Sequence, residues 1–337
     1  MVKVARAFVA AASVLTLAVS ALAVPALAGP VVAVAAAAVP NSATPGAAPG
    51  RNVLAVPVRV AVTDDGDVGY RELGSGPPLL LIMGLGGTMD NWSASFVDGL
   101  AAGHKVVVFD NAGVGKTAAI SPPLTITGMA DQTSALISAL HLGPTSVLGW
   151  SMGGMIAQAL AVLHPSQVSR LVLAATQAGT GKAAVPGAAA SAAASSDDPS
   201  VVLSTLFPAS ASAAAELYAF SVLRYPDFYT VATNVKATQE TAILQWFAGS
   251  DAAGREVASV KVPTLVADGT EDALDPVSND RQLAGLIKGA RLALYAGAGH
   301  AFWFQDEGAF LGRLASFLGR GSSLRAPLPQ LCDRRAQ

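Results

Sequence analysis

Residues 149–154 read Gly149-Trp150-Ser151-Met152-Gly153-Gly154, and this stretch decides the fold. The apolar run from Thr145 to Leu148 just before it predicts a β-strand, and the apolar spacing from Met152 to His164 predicts a helix. A Gly-x-Ser-x-Gly pattern between a strand and a helix is typical of a nucleophile elbow, a tight turn that exposes the serine hydroxyl above a sheet. The pattern therefore predicts Ser151 as a nucleophile. The alternative interpretation is a glycine-rich structural turn whose serine has no catalytic role.

Strands and helices alternate on both sides of this turn, which predicts a parallel sheet covered by helices on both faces. Several of the strand segments are apolar at every position, as expected of central parallel strands. The predicted strands are 53–62, 68–72, 78–83, 105–110, 145–148, 168–175, 263–267 and 292–295, and the predicted helices are 127–140, 152–164, 277–287 and 307–318. The alternation stops over residues 177–260, which we interpret as an insertion and not as a second fold.

A serine hydroxyl is a poor nucleophile until a base removes its proton, and the chain has four histidines to supply one. His300 lies in a glycine-rich loop between the last predicted strand and the last predicted helix, at the sheet edge where catalytic groups gather. His104, His141 and His164 lie beside a strand or at helix ends, where contact with the helix dipole or solvent is the ordinary role. The sequence therefore predicts His300 as the base.

The residue that orients the base must be a carboxylate, and four follow the predicted strand 263–267: Asp268, Glu271, Asp272 and Asp275. Asp272 comes after the Gly269 turn, from where it can reach back over the sheet. Asp275 precedes Pro276, a pattern that also fits a helix cap. Asp272 is the predicted acid.

These motifs resemble those of the α/β-hydrolase superfamily over about residues 53 to 320. The order Ser151, Asp272, His300 is the order of that family's triad. Three further segments are similar to family motifs: Tyr70 to Pro78, Phe109 to Thr117, and Gly269 to Pro276. The resemblance implies an α/β fold, namely the α/β-hydrolase fold, with a mostly parallel sheet, helices on both faces and a helical cap insertion at 177–260. It supports Asp272 over Asp268, and it implies that the backbone N–H groups of Leu85 and Met152 form the oxyanion hole.

The sequence departs from the family pattern at two places. Met83 stands where the family usually has histidine, in a loop that keeps its glycines, and Ala112 replaces the usual arginine. The segment from Gly115 to Thr117 looks like the end of a phosphate-binding loop, but such a loop needs glycine where Asp110 stands. A nucleotide site is therefore not expected.

The predicted reaction follows from the nucleophile. Serine disfavours the dehalogenase and epoxide hydrolase branches of the family, which attack with aspartate. It leaves ester, thioester, lactone or amide hydrolysis, or the cofactor-free perhydrolase side activity. The apolar insertion favours a small, uncharged ester as the substrate. Two alternatives stay open: a proline-iminopeptidase-like aminopeptidase, which would need an acid in the cap such as Glu216, Asp227 or Glu240, and a catalytically inactive binding protein on the same fold.

The composition argues against a nucleic-acid-binding protein and against a metal site. The 337 residues are 52% hydrophobic and 13% charged, with a net charge of −2, so the chain can build a core and lacks the cationic clusters that nucleic-acid binding needs. The lone cysteine, Cys332, can form neither an intramolecular disulfide nor a thiolate cluster, and the histidines are not paired at metal-binding spacing. We expect no metal, no cofactor and no nucleic-acid partner.

The first 28 residues are typical of an export signal, with Lys3 and Arg6 ahead of an apolar run and Ala26-Leu27-Ala28 as the cleavage pattern. An uncleaved membrane anchor is the alternative, since the run is about long enough to span a bilayer. Cleavage predicts a secreted or cell-envelope protein without stable membrane insertion. The predicted organisation is then a linker at 29–52, a core formed by 53–176 and 261–320, and a tail at 321–337.

Overall fold

The computed structural model describes residues 52–319, which form one eight-stranded sheet with helices around it. The strands are β1 (Arg59–Ala61), β2 (Val68–Gly74), β3 (Pro78–Ile82), β4 (Lys105–Phe109), β5 (Thr145–Trp150), β6 (Val168–Ala174), β7 (Thr264–Gly269) and β8 (Arg291–Tyr295). Their order is β1-β2-β4-β3-β5-β6-β7-β8, and β2 is antiparallel to both of its neighbours while the other pairs are parallel. The predicted signal peptide, the tail and the linker up to residue 51 lie outside the described residues.

From β3 to β8 the helices alternate with the strands, except in one region where several helices follow one another. They are α1 (Ala94–Ala101), α2 (Ile126–Ala139), α3 (Met152–Leu163), α4 (Ala188–Ala194), α5 (Pro199–Leu206), α6 (Ser212–Val222), α7 (Thr233–Phe247), α8 (Ala252–Arg255), α9 (Val277–Leu286), α10 (Phe302–Gln305) and α11 (Glu307–Leu318). Five of them, α4 to α8, lie in the segment 177–260, which we call the helical insertion. The insertion does not break the sheet, because β6 and β7 on either side of it pair directly.

The central strands are buried on both faces, so each strand contributes to two apolar cores. In β4, Val107 belongs to the core that contains helices α2 and α3, whereas Val106 and Val108 belong to the core that contains α1 and α11. This division follows from the two-residue period of a strand, which sends successive side chains to opposite faces. A fully apolar run is therefore what a strand covered on both faces requires.

The predicted strand 53–62 is wrong in its first half. Val53–Ala55 forms a short 3₁₀ helix capped by the Asn52 side chain, and only Arg59–Ala61 pairs in the sheet. Pro57 between them has no N–H to donate to a ladder, so the chain joins the sheet only after it. Helix α1 was not predicted, although Phe96, Val97 and Leu100 bury one face of it.

Within residues 52–319 no single helix is long and apolar enough to cross a membrane. Two consecutive helical segments, Pro199–Leu206 and Ala209–Val222, are long and apolar enough only when taken together, and a bend of 109° separates them.

Candidate active site

Ser151 occupies the turn between β5 and α3, with φ 57° and ψ −122°, a conformation rare for a residue with a side chain. The turn is tight enough to require glycine on both sides. A Cβ on Gly149 would lie 2.2 Å from the Gly153 carbonyl oxygen, and one on Gly153 would lie 2.1 Å from the Ile82 carbonyl oxygen. The Ser151 side chain makes no capping hydrogen bond to α3, so the helix does not use its hydroxyl. The predicted elbow geometry is present.

His300 and Asp272 form a buried pair at the carboxyl edge of the sheet. The Nδ1 atom of His300 lies 2.6 Å from Oδ2 of Asp272, and both side chains are almost fully buried. The other carboxylate oxygen of Asp272 accepts from the backbone N–H groups of Leu274 at 2.6 Å and Asp275 at 2.9 Å. Asp272 is thereby held in one orientation toward the imidazole, as an orienting acid must be.

The His300 loop is tied to the nucleophile strand by Trp150. Its indole N–H donates to the His300 carbonyl oxygen at 2.9 Å. Because Trp150 directly precedes Ser151, this bond links the backbone of the base to that of the nucleophile. Sequence reasoning missed this role, because the contact joins residues 150 positions apart in the chain.

Two opposing influences act on the pKa of His300. Burial lowers it, whereas the Asp272 carboxylate, by its charge and its hydrogen bond, and the nearby Asp275 raise it. The net pKa of His300 is raised above its ordinary value. An imidazole in this setting accepts a proton readily, which suits a general base.

Ser151 and His300 line the same cavity, whose volume is about 380 Å³. Its wall is mainly apolar and comes from the core and from the helical insertion, including Leu85, Met155, Val202, Leu206, Ile243, Leu244 and Phe247. Among the described residues no hydrogen bond joins the Ser151 hydroxyl to His300, a contact that commonly tightens only when substrate is bound. The cavity places both groups beside a space that a small ester can fill.

The two predicted oxyanion donors flank the nucleophile. Met152 is the first residue of α3, where backbone N–H groups have no partner within the helix. Leu85 lies in the loop 83–87, which runs against Ser151, because a Cβ on Gly84 would lie 3.1 Å from the Ser151 Cβ. The start of that loop is fixed by the Asn111 side chain, which donates to the Met83 carbonyl oxygen at 2.8 Å. Met152 directly follows the serine, and Leu85 follows the glycine that contacts it and lines the same cavity.

The other predicted acids have different surroundings. Glu271 is exposed, and one oxygen of Asp268 accepts from the Gly269 N–H at 2.7 Å. The interpretation of Asp275 as a helix cap is wrong, because α9 has Pro276 at its N-cap and Asp275 instead accepts from the Asn279 side chain at 2.8 Å. A capping carboxylate would accept from backbone N–H groups in the first turn of α9. The Asp275 carboxylate instead accepts from the side chain of the residue four positions later.

A carboxyl cluster lies behind Asp272, and the sequence did not reveal its third member. One oxygen from each of Asp268, Asp275 and Asp280 lies within 4.8 Å of the others, and all three side chains are buried. Burial and the neighbouring carboxylates raise the pKa of Asp268 well above its usual value, that of Asp275 to about 7 and that of Asp280 to about 9. These oxygens are of the type that Ca²⁺ or Mg²⁺ binds, but six or more ligands are the norm for such ions. The expectation of no metal and no cofactor stays a prediction.

The remaining histidines lie away from the cavity. His104 is buried against the Leu100 carbonyl oxygen, and burial lowers its pKa. His164 pairs with Asp131 at 2.8 Å on the far end of α3. His141 follows α2 with a φ of 50°. None of the three lines the cavity around Ser151.

Comparison with known proteins identifies the family. Residues 77–307 match the family model described as the alpha/beta hydrolase fold, and the chain belongs to this family. It is 30% identical to a putative carbamate hydrolase RutD of Azorhizobium caulinodans, over 76% of this chain and 96% of that protein. It is also 30% identical to a poly(3-hydroxyalkanoate) depolymerase of Ectopseudomonas oleovorans, over 67% of this chain and 78% of that protein. These relatives are hydrolases.

The fold is also that of a solved alpha/beta hydrolase fold protein from Chitinophaga pinensis. The two superpose with a TM-score of 0.69 at 23% identity, covering 79% of this chain and 98% of the other. The predicted fold class is confirmed.

Proposed function

We propose that this protein is a serine hydrolase that cleaves uncharged carboxylic esters through an acyl-enzyme on Ser151. The observation that carries the proposal is the buried His300–Asp272 pair beside the cavity that Ser151 also lines. A positioned nucleophile, a base and an orienting acid are the set that acyl transfer to serine requires. A binding protein would have no need of a strained serine and a hydrogen-bonded imidazole at one cavity.

The proposed reaction has two steps. The Ser151 hydroxyl attacks the ester carbonyl carbon and gives its proton to Nε2 of His300, whose positive charge Asp272 stabilises. The oxyanion accepts from the backbone N–H groups of Leu85 and Met152 until the C–O bond breaks and the alcohol leaves with the proton from His300. Water then attacks the acyl-enzyme in the same manner, releasing the acid and restoring Ser151.

An uncharged ester is supported by the apolar wall of the cavity. A desolvated acyl carboxylate would need a cationic partner, and the cavity wall includes no lysine or arginine among the described residues. The two relatives reported above are named for a carbamate and for a polyester, both of which carry a carbonyl bonded to a heteroatom.

Replacement of the nucleophile tests the proposal directly. Ser151→Ala is expected to lower turnover of p-nitrophenyl butyrate by roughly a million-fold, as loss of the nucleophile does in other triads. Wild-type protein should take up one phenylmethylsulfonyl group, located at Ser151 by peptide mass spectrometry. Ser75→Ala, at an exposed serine that does not line the cavity, is the control and should retain activity. Labelling at another serine would overturn the assignment.

An aminopeptidase is the second candidate, because Glu240 of the helical insertion lines the cavity and its carboxylate suits a substrate amine. Glu216 and Asp227, the other acids considered, do not line it. Prolyl p-nitroanilide turnover that exceeds ester turnover and is lost in Glu240→Gln would favour this candidate.

We also propose that the protein acts outside the cytoplasm, on the basis of the export signal read in residues 1–28. Expression of the full chain in a bacterial host, followed by N-terminal sequencing of the extracellular fraction, should give a chain that begins at Gly29. Recovery of the intact N-terminus in the membrane fraction would instead support the anchor.

A further inference from the structure

Helix α7 of the insertion buries a polar side chain where a core residue is expected. Its buried residues are Gln239, Ala242 and Trp246, at positions i, i+3 and i+7, which is the stripe a helix packs against its core. Gln239 is 0% exposed. Because a buried amide is costly unless it is hydrogen-bonded, a glutamine on this stripe requires a partner.

That partner is the loop beside the nucleophile. The backbone N–H of Gly86 donates to Oε1 of Gln239 at 2.9 Å, across 153 residues of sequence. An N–H group can only donate, so the side-chain amide of Gln239 must present its oxygen to Gly86. The bond therefore joins the insertion to the loop 83–87 in one defined orientation.

The bond to Gln239 is made by the peptide next to the one that carries the Leu85 N–H. The peptide that carries the Leu85 N–H also carries the Gly84 carbonyl oxygen, which accepts from the Gly87 N–H at 3.3 Å. The next peptide, between Leu85 and Gly86, is the one that Gln239 holds. Asn111 fixes the start of the loop from the core side. Gln239, from the insertion, therefore restrains the peptide that directly follows Leu85.

We propose that Gln239 is a positioning residue for the oxyanion hole, holding the Leu85–Gly86 peptide so that the Leu85 N–H meets the developing oxyanion. The inference rests on the proposed function, in which Leu85 is an oxyanion donor. It gives the helical insertion a part in the chemical step as well as in forming the cavity wall. Gln239 itself acts through the loop and does not touch the substrate.

The test is Gln239→Met, which keeps the length of the side chain and removes the acceptor. Loss of a whole oxyanion donor costs about 10²- to 10³-fold in kcat, so a loosened donor should cost about 10- to 100-fold, with KM for p-nitrophenyl butyrate changed far less. An alkyl trifluoromethyl ketone, which adds to the Ser151 hydroxyl and forms an oxyanion, should bind more weakly by the same factor as the fall in kcat/KM. Gln245→Met, on the same helix but off its buried stripe, is the matched control and should match wild type.

The outcomes separate this inference from the proposed function. Unchanged kcat in Gln239→Met, or a rise in KM alone, would overturn the positioning role while Ser151→Ala still reports on the nucleophile. If Gln239→Met folds poorly, Gln239→Glu is the second variant, because it keeps an oxygen for Gly86 but places a negative charge beside the oxyanion loop. Its kcat relative to wild type should rise as the pH falls and the carboxyl becomes neutral, and a pH-independent ratio would count against the inference.

Discussion

Asp272 is the residue on which the proposed chemistry depends most sharply, because both of its oxygens have assigned partners. One is bonded to His300 and the other to two backbone N–H groups of its own turn. The turn therefore fixes the carboxylate before any substrate arrives. Asp268, four residues earlier, has no such contact with the imidazole, and its bonded oxygen accepts from Gly269.

We predict that Asp272→Asn lowers kcat by about 10⁴-fold, the loss seen for the equivalent change in trypsin, because the amide can leave His300 in the wrong tautomer. Asp268→Asn is the control and should cost far less. Hydrolysis rates of p-nitrophenyl butyrate for the two variants make the comparison. An inactive Asp268 variant with a tolerant Asp272 variant would contradict the assignment of the acid.

The same variant changes the pH dependence of the reaction. Only the neutral imidazole can act as the base, so wild-type kcat/KM should rise with pH through the raised pKa of His300. In Asp272→Asn the carboxylate that raises this pKa is gone, and the residual activity should rise at lower pH than in wild type. Phenylmethylsulfonyl fluoride inactivation rates against pH give the same inflection independently of ester turnover.

At the scale of elements, the helical insertion forms much of the cavity wall. Val202, Leu206, Ile243 and Phe247 come from α5 and α7, whereas Ser151 and His300 come from loops at the edge of the sheet. In the proposed reaction, the sheet edge therefore presents the reacting groups and the insertion presents apolar surface to the acyl chain.

We predict that kcat/KM rises by about fourfold per methylene along a series of p-nitrophenyl esters until the cavity is full, since each buried methylene is worth about 0.8 kcal/mol. Ile243→Trp should remove the preference for longer chains and leave acetate hydrolysis nearly unchanged. Leu217→Trp, on an exposed position of α6 that does not line the cavity, is the control. A preference for a succinyl ester over a neutral ester of equal length would contradict the apolar-wall interpretation.

The elements that the sequence predicted well are those with a strong local signal. β4 and α3 were predicted to within one residue, because a fully apolar run and a helical spacing each have few alternatives. The segment 53–62 failed because an edge strand is short and Pro57 interrupts its ladder. Ser151, Asp272 and His300 were predictable from loop motifs, whereas Asp280 and Gln239 owe their surroundings to contacts between distant parts of the chain that no local pattern encodes.

At the scale of the whole molecule, the fold keeps several acids away from water. Asp268, Asp275 and Asp280 are buried together behind Asp272, with His300 facing them from the loop after β8. The charged groups that raise their pKa are other carboxylates of β7, α9 and the turn between them. One oxygen of Asp268 and one of Asp280 lie within 4.8 Å of each other, and two ionised carboxylates buried this close would repel, which favours a proton on at least one of them.

This cluster predicts that the protein loses stability as the pH rises. Below about pH 4 these carboxyls are protonated in both the folded and the unfolded chain, so they contribute no difference. As the pH increases, the unfolded chain ionises first, while the folded chain keeps protons at Asp275 up to about pH 7 and at Asp280 up to about pH 9. The free energy of unfolding therefore falls across that window.

Asp280→Asn tests this prediction, because the amide has no proton to lose and can donate a hydrogen bond to Asp268. The Tm of this variant at pH 8 should exceed that of wild type, and it should depend less on pH between 5 and 9. Asp65→Asn, an exposed carboxyl in the turn between β1 and β2, is the matched control, and scanning calorimetry over this range makes the measurement. The prediction is contradicted if the Tm of Asp280→Asn changes with pH as steeply as that of wild type. It is also contradicted if CaCl₂ raises the Tm of wild type but not that of Asp280→Asn, because a cation would then neutralise the cluster in place of protons.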